Sequence, residues 1–368
     1  MAPPQIAILG AGIFVKTEYI PRLSEIPDLF VLKAIWSRTE ESARGAVDIA
    51  KKFFPKVECK WGDAGLNEII QDASIVAVLV VLAAQFQASS LLSISVDLSL
   101  KLLRSGKHVL QAINEVKTAL SSYNSLITSL PRQPIWAIAE NYRFEPAFLE
   151  GKKLMPDIGD LVNFQILVEA PMNSSNPYFS STWRHNFTGG YILDMAVHFV
   201  AVLRMLAGCE VTSVSAMTSH VDTTLPPPDS MSSIITLFFL PLSQLENGRS
   251  GVLVAVLSGK TLKIVHRFVG VNGTLQIDVE NRDGKFGFSV TLFTADGQTK
   301  NSHYPFAGVT EELKTFFNDV SVATEKKELS CRAEPRLSVI EGARDVAVIE
   351  AILESGNKQG ALVQLNKF

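Results

Sequence analysis

The feature that most constrains the fold is a regular succession of short apolar runs and helical patterns in the first third of the chain. Strands are predicted at 5–9, 30–36, 74–82, 107–111 and 135–139, and helices at 16–23, 40–53, 66–71, 96–105 and 116–130. Strands that alternate with helices through short connections are typical of βαβ units, in which helices cover both faces of a parallel sheet. We therefore expect residues 1–140 to form a doubly wound α/β domain of the Rossmann type.

The pattern changes after Pro146. Longer, alternating strands are predicted at 162–169, 211–219, 234–240, 251–258, 261–269, 273–279 and 288–293, and helices at 191–206, 311–323 and 339–354. Several strands are separated by Asn-Gly or Asp-Gly, which suit antiparallel hairpins. Residues 141–368 are therefore expected to form an α+β domain with a large, open, mainly antiparallel sheet, whose last helix packs back near the interdomain region.

Composition excludes several classes of function. The formal net charge of −3 provides no global basic field that would recruit nucleic acid or anionic lipid. The most apolar run, 75–84, has about half of the ~20 residues that cross a bilayer. The three cysteines lie far apart and are expected to be reduced thiols, and no basic region precedes the first apolar run, so no signal peptide is expected. We expect a cytoplasmic protein that binds neither nucleic acid nor a membrane.

A glycine motif follows the first predicted strand. Gly10 would allow a sharp turn, and Gly12 would remove a side chain where a backbone approaches a pyrophosphate at a helix N-terminus. Ile13 and Phe14 open that helix, while Val15 occupies the third position, which is normally Gly or Ala. An ordinary strand-to-helix turn is the alternative, but the βαβ pattern favours a dinucleotide site formed by residues 10, 12, 13 and 14.

The end of the second predicted strand indicates which dinucleotide is bound. An NAD site usually places Asp or Glu there to bind the ribose 2′-hydroxyl. This chain has Ser37 and Arg38, which suit a 2′-phosphate, so NADP is favoured over NAD. The alternative is a solvated polar turn in which Thr39 caps the next helix.

A third motif lies in the second domain. Trp183-Arg184 precedes a Gly189-Gly190 pair, after which Asp194 and His198 are spaced i, i+4 on a predicted helix. An imidazole there could act as a general acid or base, and a core histidine bonded to Asp194 is the alternative. The other histidines show no ligand spacing, so no metal is predicted.

Together these motifs resemble the glucose–fructose oxidoreductase / inositol dehydrogenase / rhizopine catabolism (Gfo/Idh/MocA) family, and the sequence is most similar to its plant-type branch. Segments 106–110, 140–147 and 341–352 are also similar to that family. The resemblance implies hydride transfer between NAD(P) and a sugar, polyol or diol-like substrate. It also implies that His198 is the acid/base, that Asp194 orients it, that Trp183 and Arg184 line the cofactor site, and that copies of the chain associate through the C-terminal sheet.

The sequence departs from the family at one edge of the cofactor domain. The family's Glu-Lys-Pro should follow residues 106–110, but the chain reads Gln111-Ala112-Ile113-Asn114-Glu115-Val116-Lys117, and the segment 83–95 is unusually long. Lys117 is the nearest substitute, although a solvated helix lysine is its more natural interpretation. Two explanations stay open: a catalytically impaired member with a binding or regulatory role, or an altered transcript or gene model.

Overall fold

The computed structural model describes residues 3–82, 94–111, 123, 126, 130, 133–180, 185, 189–238, 248–326 and 333–365. The chain divides into two compact units. Unit 1 contains residues 1–140 and 309–343, and unit 2 contains residues 141–308 and 344–368. The first division falls between Glu140 and Asn141, where the sequence also predicts one, while residues 309–343 group with unit 1.

Unit 1 is built on a six-stranded sheet in which every neighbouring pair is parallel. The strands are β1 Gln5–Leu9, β2 Val31–Ser37, β3 Glu58–Trp61, β4 Ile75–Val80, β5 His108–Gln111 and β6 Trp136–Ile138. Their order, β3-β2-β1-β4-β5-β6, is that of a dinucleotide-binding Rossmann sheet, whose order reverses between β1 and β4. The central strands β1 and β4 are apolar and buried except for the half-buried Gln5 and Val76, as expected of strands covered on both faces.

The helices of unit 1 follow the predicted pattern, with one exception. A π-helical turn, Val15–Tyr19, leads directly into α1 Ile20–Ser24. The other helices are α2 Glu40–Ala50, α3 Gly62–Gln71, α4 Ile94–Arg104, nearly all of α7 Gly308–Lys326, and the start of α8 Val339–Asn357. The buried stripe of α2, Ala43, Ala46, Val47 and Ala50, has the spacing of an amphipathic helix. The predicted helix at 116–130 lies almost entirely outside the described residues.

Unit 2 is built on a nine-stranded sheet of order β14-β13-β12-β11-β7-β10-β9-β8-β15. The strands are β7 Leu161–Glu169, β8 Glu210–Ser219, β9 Ser230–Phe238, β10 Arg249–Val256, β11 Lys263–Gly270, β12 Gly273–Arg282, β13 Lys285–Thr294, β14 Thr299–Pro305 and β15 Val363–Gln364. All neighbours are antiparallel except β7 and β10, which are parallel. The predicted fold class, a Rossmann domain and a domain with a large, mainly antiparallel sheet, is confirmed.

Helices cover one face of this sheet. They are α5 Pro146–Leu154, α6 Gly190–Ala207 and the part of α8 from Arg344 onward. Phe148 of α5 contacts Phe288 and His266 on β13 and β11, and Phe199 of α6 also contacts His266. Helix α6 is long and apolar enough to span a membrane, but 67% of that stretch is buried inside the protein, as in the core helix of a globular domain.

Candidate cofactor and active-site residues

Gly10 lies directly after β1, at the edge of the sheet where the strand order reverses. Its φ is 129°, in the region that favours glycine, and its backbone N–H donates to the Trp36 carbonyl at 2.9 Å. A Cβ at this position would lie 2.2 Å from the Val81 carbonyl oxygen. Gly10 is therefore required by the backbone of the loop itself, independently of any ligand.

Gly12 is in a different environment. Among the described residues, no heavy atom outside its two chain neighbours lies within 4 Å of the position that its Cβ would take, so the backbone there faces open space. Ile13 and Phe14 follow as the first helical residues, and both are only partly buried. An open backbone beside a helix N-terminus, at the switch point of such a sheet, fits the pyrophosphate of a dinucleotide.

The helix after this loop contains a feature that the sequence did not predict. The N–H of Ile20 donates to the Val15 carbonyl, which inserts one extra residue in the turn that begins at the motif's third position. Val15 and Tyr19 are buried there, and the Tyr19 ring packs against Phe14 at 5.2 Å between centroids. Burial raises the pKa of Tyr19 well above its ordinary value, so its hydroxyl stays protonated.

We expect Gly10→Ala and Gly12→Ala to separate these two roles. Gly10→Ala should lower the free energy of unfolding by about 2 kcal/mol or more, because the new methyl group meets a carbonyl in a strained backbone. Gly12→Ala should leave stability within about 0.5 kcal/mol, since its Cβ has space, but should weaken binding of NADPH. Thermal unfolding and NADPH titration measure the two effects, and unchanged NADPH affinity in Gly12→Ala would exclude the backbone of Gly12 from the site.

Ser37 and Arg38 lie on the same edge of the sheet as Gly10. Ser37 ends β2 and follows Trp36, the residue whose carbonyl binds the N–H of Gly10. Ser37 is half-buried and Arg38 is exposed. The Thr39 hydroxyl accepts from the Ser42 N–H at 3.4 Å and caps α2. Thr39 therefore caps the N-terminus of α2, as the alternative interpretation of this segment predicts.

Lys107 and His108, just before the position of the missing Glu-Lys-Pro, serve the fold. The Lys107 ammonium donates to the carbonyls of Asp72 and Ile75 at 2.8 and 2.9 Å, and burial lowers its pKa. Ile75 begins β4, so this ammonium lies at the edge opposite Gly10 and does not replace the family lysine. His108 accepts the Ile135 N–H through Nδ1, and burial lowers its pKa to about 4.

The departures themselves fall largely outside the described residues. These are residues 83–93 of the long segment and 112–117 after β5, including Lys117. Gln111, the last residue of β5, is buried, and its Oε1 accepts the Trp136 indole N–H at 3.1 Å.

The glycine pair of the third motif fixes the start of α6. Gly189 and Gly190 have φ of 86° and 48°. A Cβ on Gly189 would lie 2.6 Å from Leu353 Cδ1, and one on Gly190 would lie 3.0 Å from Pro226 Cγ. The pair therefore lets α6 begin close against both α8 and the loop that carries the three consecutive prolines.

Asp194 and His198 follow in the next turns of α6, and both side chains are half-buried. The His198 imidazole stacks on the Tyr142 ring, with centroids 4.9 Å apart and planes 24° from parallel. Partial exposure of the His198 side chain is compatible with a proton-transfer role, which stays a prediction. Trp183 and Arg184 lie outside the described residues, so their assignment stays a prediction.

A buried charge cluster near these residues was missed from the sequence. The Asp345 carboxylate of α8 accepts from Arg143 through Oδ2 and from Arg204 of α6 through Oδ1, the latter at 2.5 Å. Asp345 is 1% exposed, and the two arginines are nearly as buried. Arg204 also donates to both oxygens of Glu210 at 2.9 Å. From the sequence alone, such charged residues would be placed on the surface, and only the apolar character of the surrounding helices indicates that they are buried.

Among the described residues, no group of three or more potential ligands could hold a metal ion.

Comparison with known proteins agrees with this geometry. Residues 156–291 match the model of the GFO/IDH/MocA C-terminal domain. A dehydrogenase of Fusarium mangiferae is 27% identical over 385 residues, covering 99% of each chain. These matches support the Gfo/Idh/MocA family for this chain. The family predicted from the sequence is thereby confirmed, while the plant-type branch stays a prediction.

Solved structures share the fold of this chain. An oxidoreductase from Thermotoga maritima is 23% identical, covers 98% of each chain and superimposes with a TM-score of 0.75. Levoglucosan dehydrogenase, in complex with NADH and L-sorbose, is 20% identical, covers 100% of each chain and has a TM-score of 0.76.

Proposed function

We propose that this protein is an NADP-dependent oxidoreductase that transfers hydride to or from a sugar, polyol or diol-like substrate. The observation that carries the proposal is the Gly10–Gly12 loop, with its constrained first glycine and open second glycine at the switch point of a Rossmann sheet. The NADH and sugar bound by levoglucosan dehydrogenase support the same class of cofactor and substrate.

The cofactor half of the proposal assigns a task to each residue of unit 1. When bound, the dinucleotide supplies the hydride donor or acceptor. The backbone of Gly12 and the helix N-terminus at Ile13 and Phe14 would hold its pyrophosphate. Ser37 and Arg38 would bind the 2′-phosphate through a hydroxyl and a guanidinium, and an acidic residue that would repel this phosphate is not found at either position.

The substrate half depends on His198 and Asp194. His198 would accept the hydroxyl proton during oxidation, or return it during reduction, and Asp194 would orient the imidazole or the substrate. Trp183 and Arg184 would line the cofactor site, as the family resemblance implies. None of these groups requires a metal ion.

A second candidate function rests on the missing Glu-Lys-Pro. The family lysine supplies positive charge to a developing alkoxide, and its loss would cost several kcal/mol of transition-state stabilisation. Lys107, the neighbouring buried lysine, lies at the wrong edge of the sheet to replace it. A protein that binds the dinucleotide without turnover, in a binding or regulatory role, is therefore the alternative.

One experiment separates the two. Purified protein is titrated with NADPH and NADH by fluorescence, and a panel of sugars, polyols and dicarbonyls is then added while absorbance at the nicotinamide band is followed. Turnover supports the enzyme, binding without turnover supports the alternative, and failure to bind either dinucleotide contradicts both.

Arg38→Ala is expected to weaken NADPH binding by about tenfold or more and to leave NADH binding nearly unchanged, because only NADPH carries the 2′-phosphate. The matched control is Arg44→Ala, which removes an exposed arginine from the adjacent α2, where it pairs with Glu40. Equal loss of affinity for both dinucleotides in Arg38→Ala would contradict the proposed NADP preference.

We also propose a cytoplasmic homo-oligomer that associates through the face of the nine-stranded sheet opposite helices α5, α6 and α8. Ile234 on β9 is 56% exposed and faces the same side as its cross-strand neighbour Val252 on β10. Apolar side chains on an uncovered sheet face favour association. Light scattering of the purified protein measures the mass, and cell fractionation tests the location.

A further inference from the structure

We propose that Tyr142 is a positioning residue that fixes the plane of the His198 imidazole, and that Asp345 joins the two segments that create this contact. The inference rests on the proposed function, because it concerns how an acid/base histidine is oriented. It assigns the effect to the tyrosine ring and not to its hydroxyl.

The first observation is the stack itself. The Tyr142 and His198 rings lie 4.9 Å apart at 24°, which is an almost parallel face-to-face contact. One face of the imidazole is therefore covered by a flat neighbour. Rotation of the imidazole about its Cβ–Cγ bond would drive its edge into the tyrosine ring, so the contact limits the orientations that the two nitrogens can take.

The second observation is that the Tyr142 ring is itself held in place. It contacts Phe148 on α5, Phe199 on α6 and Phe288 on β13, at 5.4, 5.8 and 5.9 Å between centroids. The latter two meet it nearly edge-on, at 82° and 78°. Side chains from two helices and the sheet therefore fix the surface against which His198 lies.

The third observation connects this contact to the backbone. Arg143 directly follows Tyr142, and Arg204 belongs to the same helix as His198. Both arginines donate to the single carboxylate of Asp345, in a site that is almost fully buried. One buried anion thus binds the segment that bears the tyrosine and the helix that bears the histidine, and it sets the distance between them.

The chemical consequence concerns alignment. Proton transfer requires a nitrogen lone pair or N–H to point at the substrate oxygen within hydrogen-bond reach, and small misplacements reduce rates strongly. An imidazole confined to one plane loses little orientational freedom in the transition state. Tyr142 acts on the reaction only through His198, so its removal should affect the rate of the chemical step more than binding.

Tyr142→Leu is expected to lower kcat at least ~tenfold with little change in KM, and Tyr142→Phe to retain most of the rate. The substrate is the most active compound of the panel above, with NADP or NADPH. Phe268→Leu is the matched control, since it removes a buried ring from β11 of the same sheet that does not belong to the cluster of Phe148, Phe199 and Phe288 around Tyr142. Thermal unfolding shows whether each variant folds.

The spectroscopic signature is the His198 imidazole resonance in ¹³C-histidine-labelled protein, assigned by its disappearance in His198→Asn. A ring stacked on Tyr142 is shifted upfield, so Tyr142→Leu should move this resonance downfield by several tenths of a ppm, whereas the phenylalanine variant and the control should keep it close to its original position. An unshifted resonance in Tyr142→Leu overturns the proposal, as does a shifted resonance with unchanged kcat. Loss of rate in Tyr142→Phe transfers the role to the hydroxyl and also overturns it. A wild-type protein without turnover instead contradicts the proposed function.

Discussion

His198→Asn is expected to lower kcat by about 10²–10⁴-fold, the range in which a positioned general acid or base contributes to a reaction. Asparagine has a similar size and keeps a hydrogen-bonding group at the half-buried position, but it cannot exchange a proton near neutral pH. The fold should therefore survive while the proton transfer is lost. Steady-state kinetics with the most active substrate of the panel, together with thermal unfolding, measure the effect.

Two comparisons make this result specific to His198. The affinity for NADPH should stay within about twofold, because the loop and the Ser37-Arg38 pair assigned to its phosphate groups lie in unit 1, apart from the helix that bears His198. His303→Asn is the matched control, since His303 is another half-buried histidine of unit 2 and lies on β14 without an assigned role. Full turnover by His198→Asn would remove this residue from the mechanism, and an equal loss in the control would indicate a general defect of unit 2.

Asp345→Ala is expected to produce the largest loss of stability, about 3–5 kcal/mol, because it leaves two buried guanidinium groups without their shared anion. Asp345 is 1% exposed, so water cannot easily replace the carboxylate. Denaturant unfolding followed by intrinsic fluorescence measures the change. Since the chain has two units, the transition of unit 2 has to be resolved from that of unit 1.

Two variants separate charge from shape at this position. Asp345→Asn keeps the size and one acceptor oxygen but removes the charge, so it should destabilise less than alanine and still measurably. Glu210→Ala removes the other carboxylate bound to Arg204, but the Glu210 side chain is 51% exposed, and we expect a loss of less than about 1 kcal/mol. A loss of that small size in Asp345→Ala would contradict the view that this carboxylate is the main anion of the cluster.

The part of the fold that the sequence predicts is the part governed by burial. The first strand, Gln5–Leu9, has the predicted bounds because its last four residues are apolar and buried and Gly10 follows it directly. The strands of unit 2 were found where apolar and polar residues alternate. β3 and β14 were missed because both are polar edge strands with few buried side chains, so hydrophobic periodicity does not mark them.

The candidate site was predictable to a different extent in each unit. Gly10 and Gly12 could be found because a glycine motif directly after a predicted strand and before a helix is typical of a dinucleotide site. Arg143, Arg204 and Asp345 could not be paired, because they are distant in sequence and nothing in a single charged residue records that its partner is buried. The stack of Tyr142 on His198 was missed for the same reason, although Tyr142 lies in a segment that resembles the family.

The parallel pairing of β7 with β10 has a consequence for the synthesis of the chain. Two adjacent parallel strands require a long crossover, and here the crossover comprises residues 170–248 and includes α6, β8 and β9. Until β10 has left the ribosome, β7 cannot pair with it. During that time the segment between the two strands, which includes the helix with Asp194 and His198, is not held at its C-terminal end. Such non-local pairing is slow to form, so we expect this helix to reach its final position late. Once β7 and β10 pair, their main-chain hydrogen bonds join the two ends of the crossover that contains the helix.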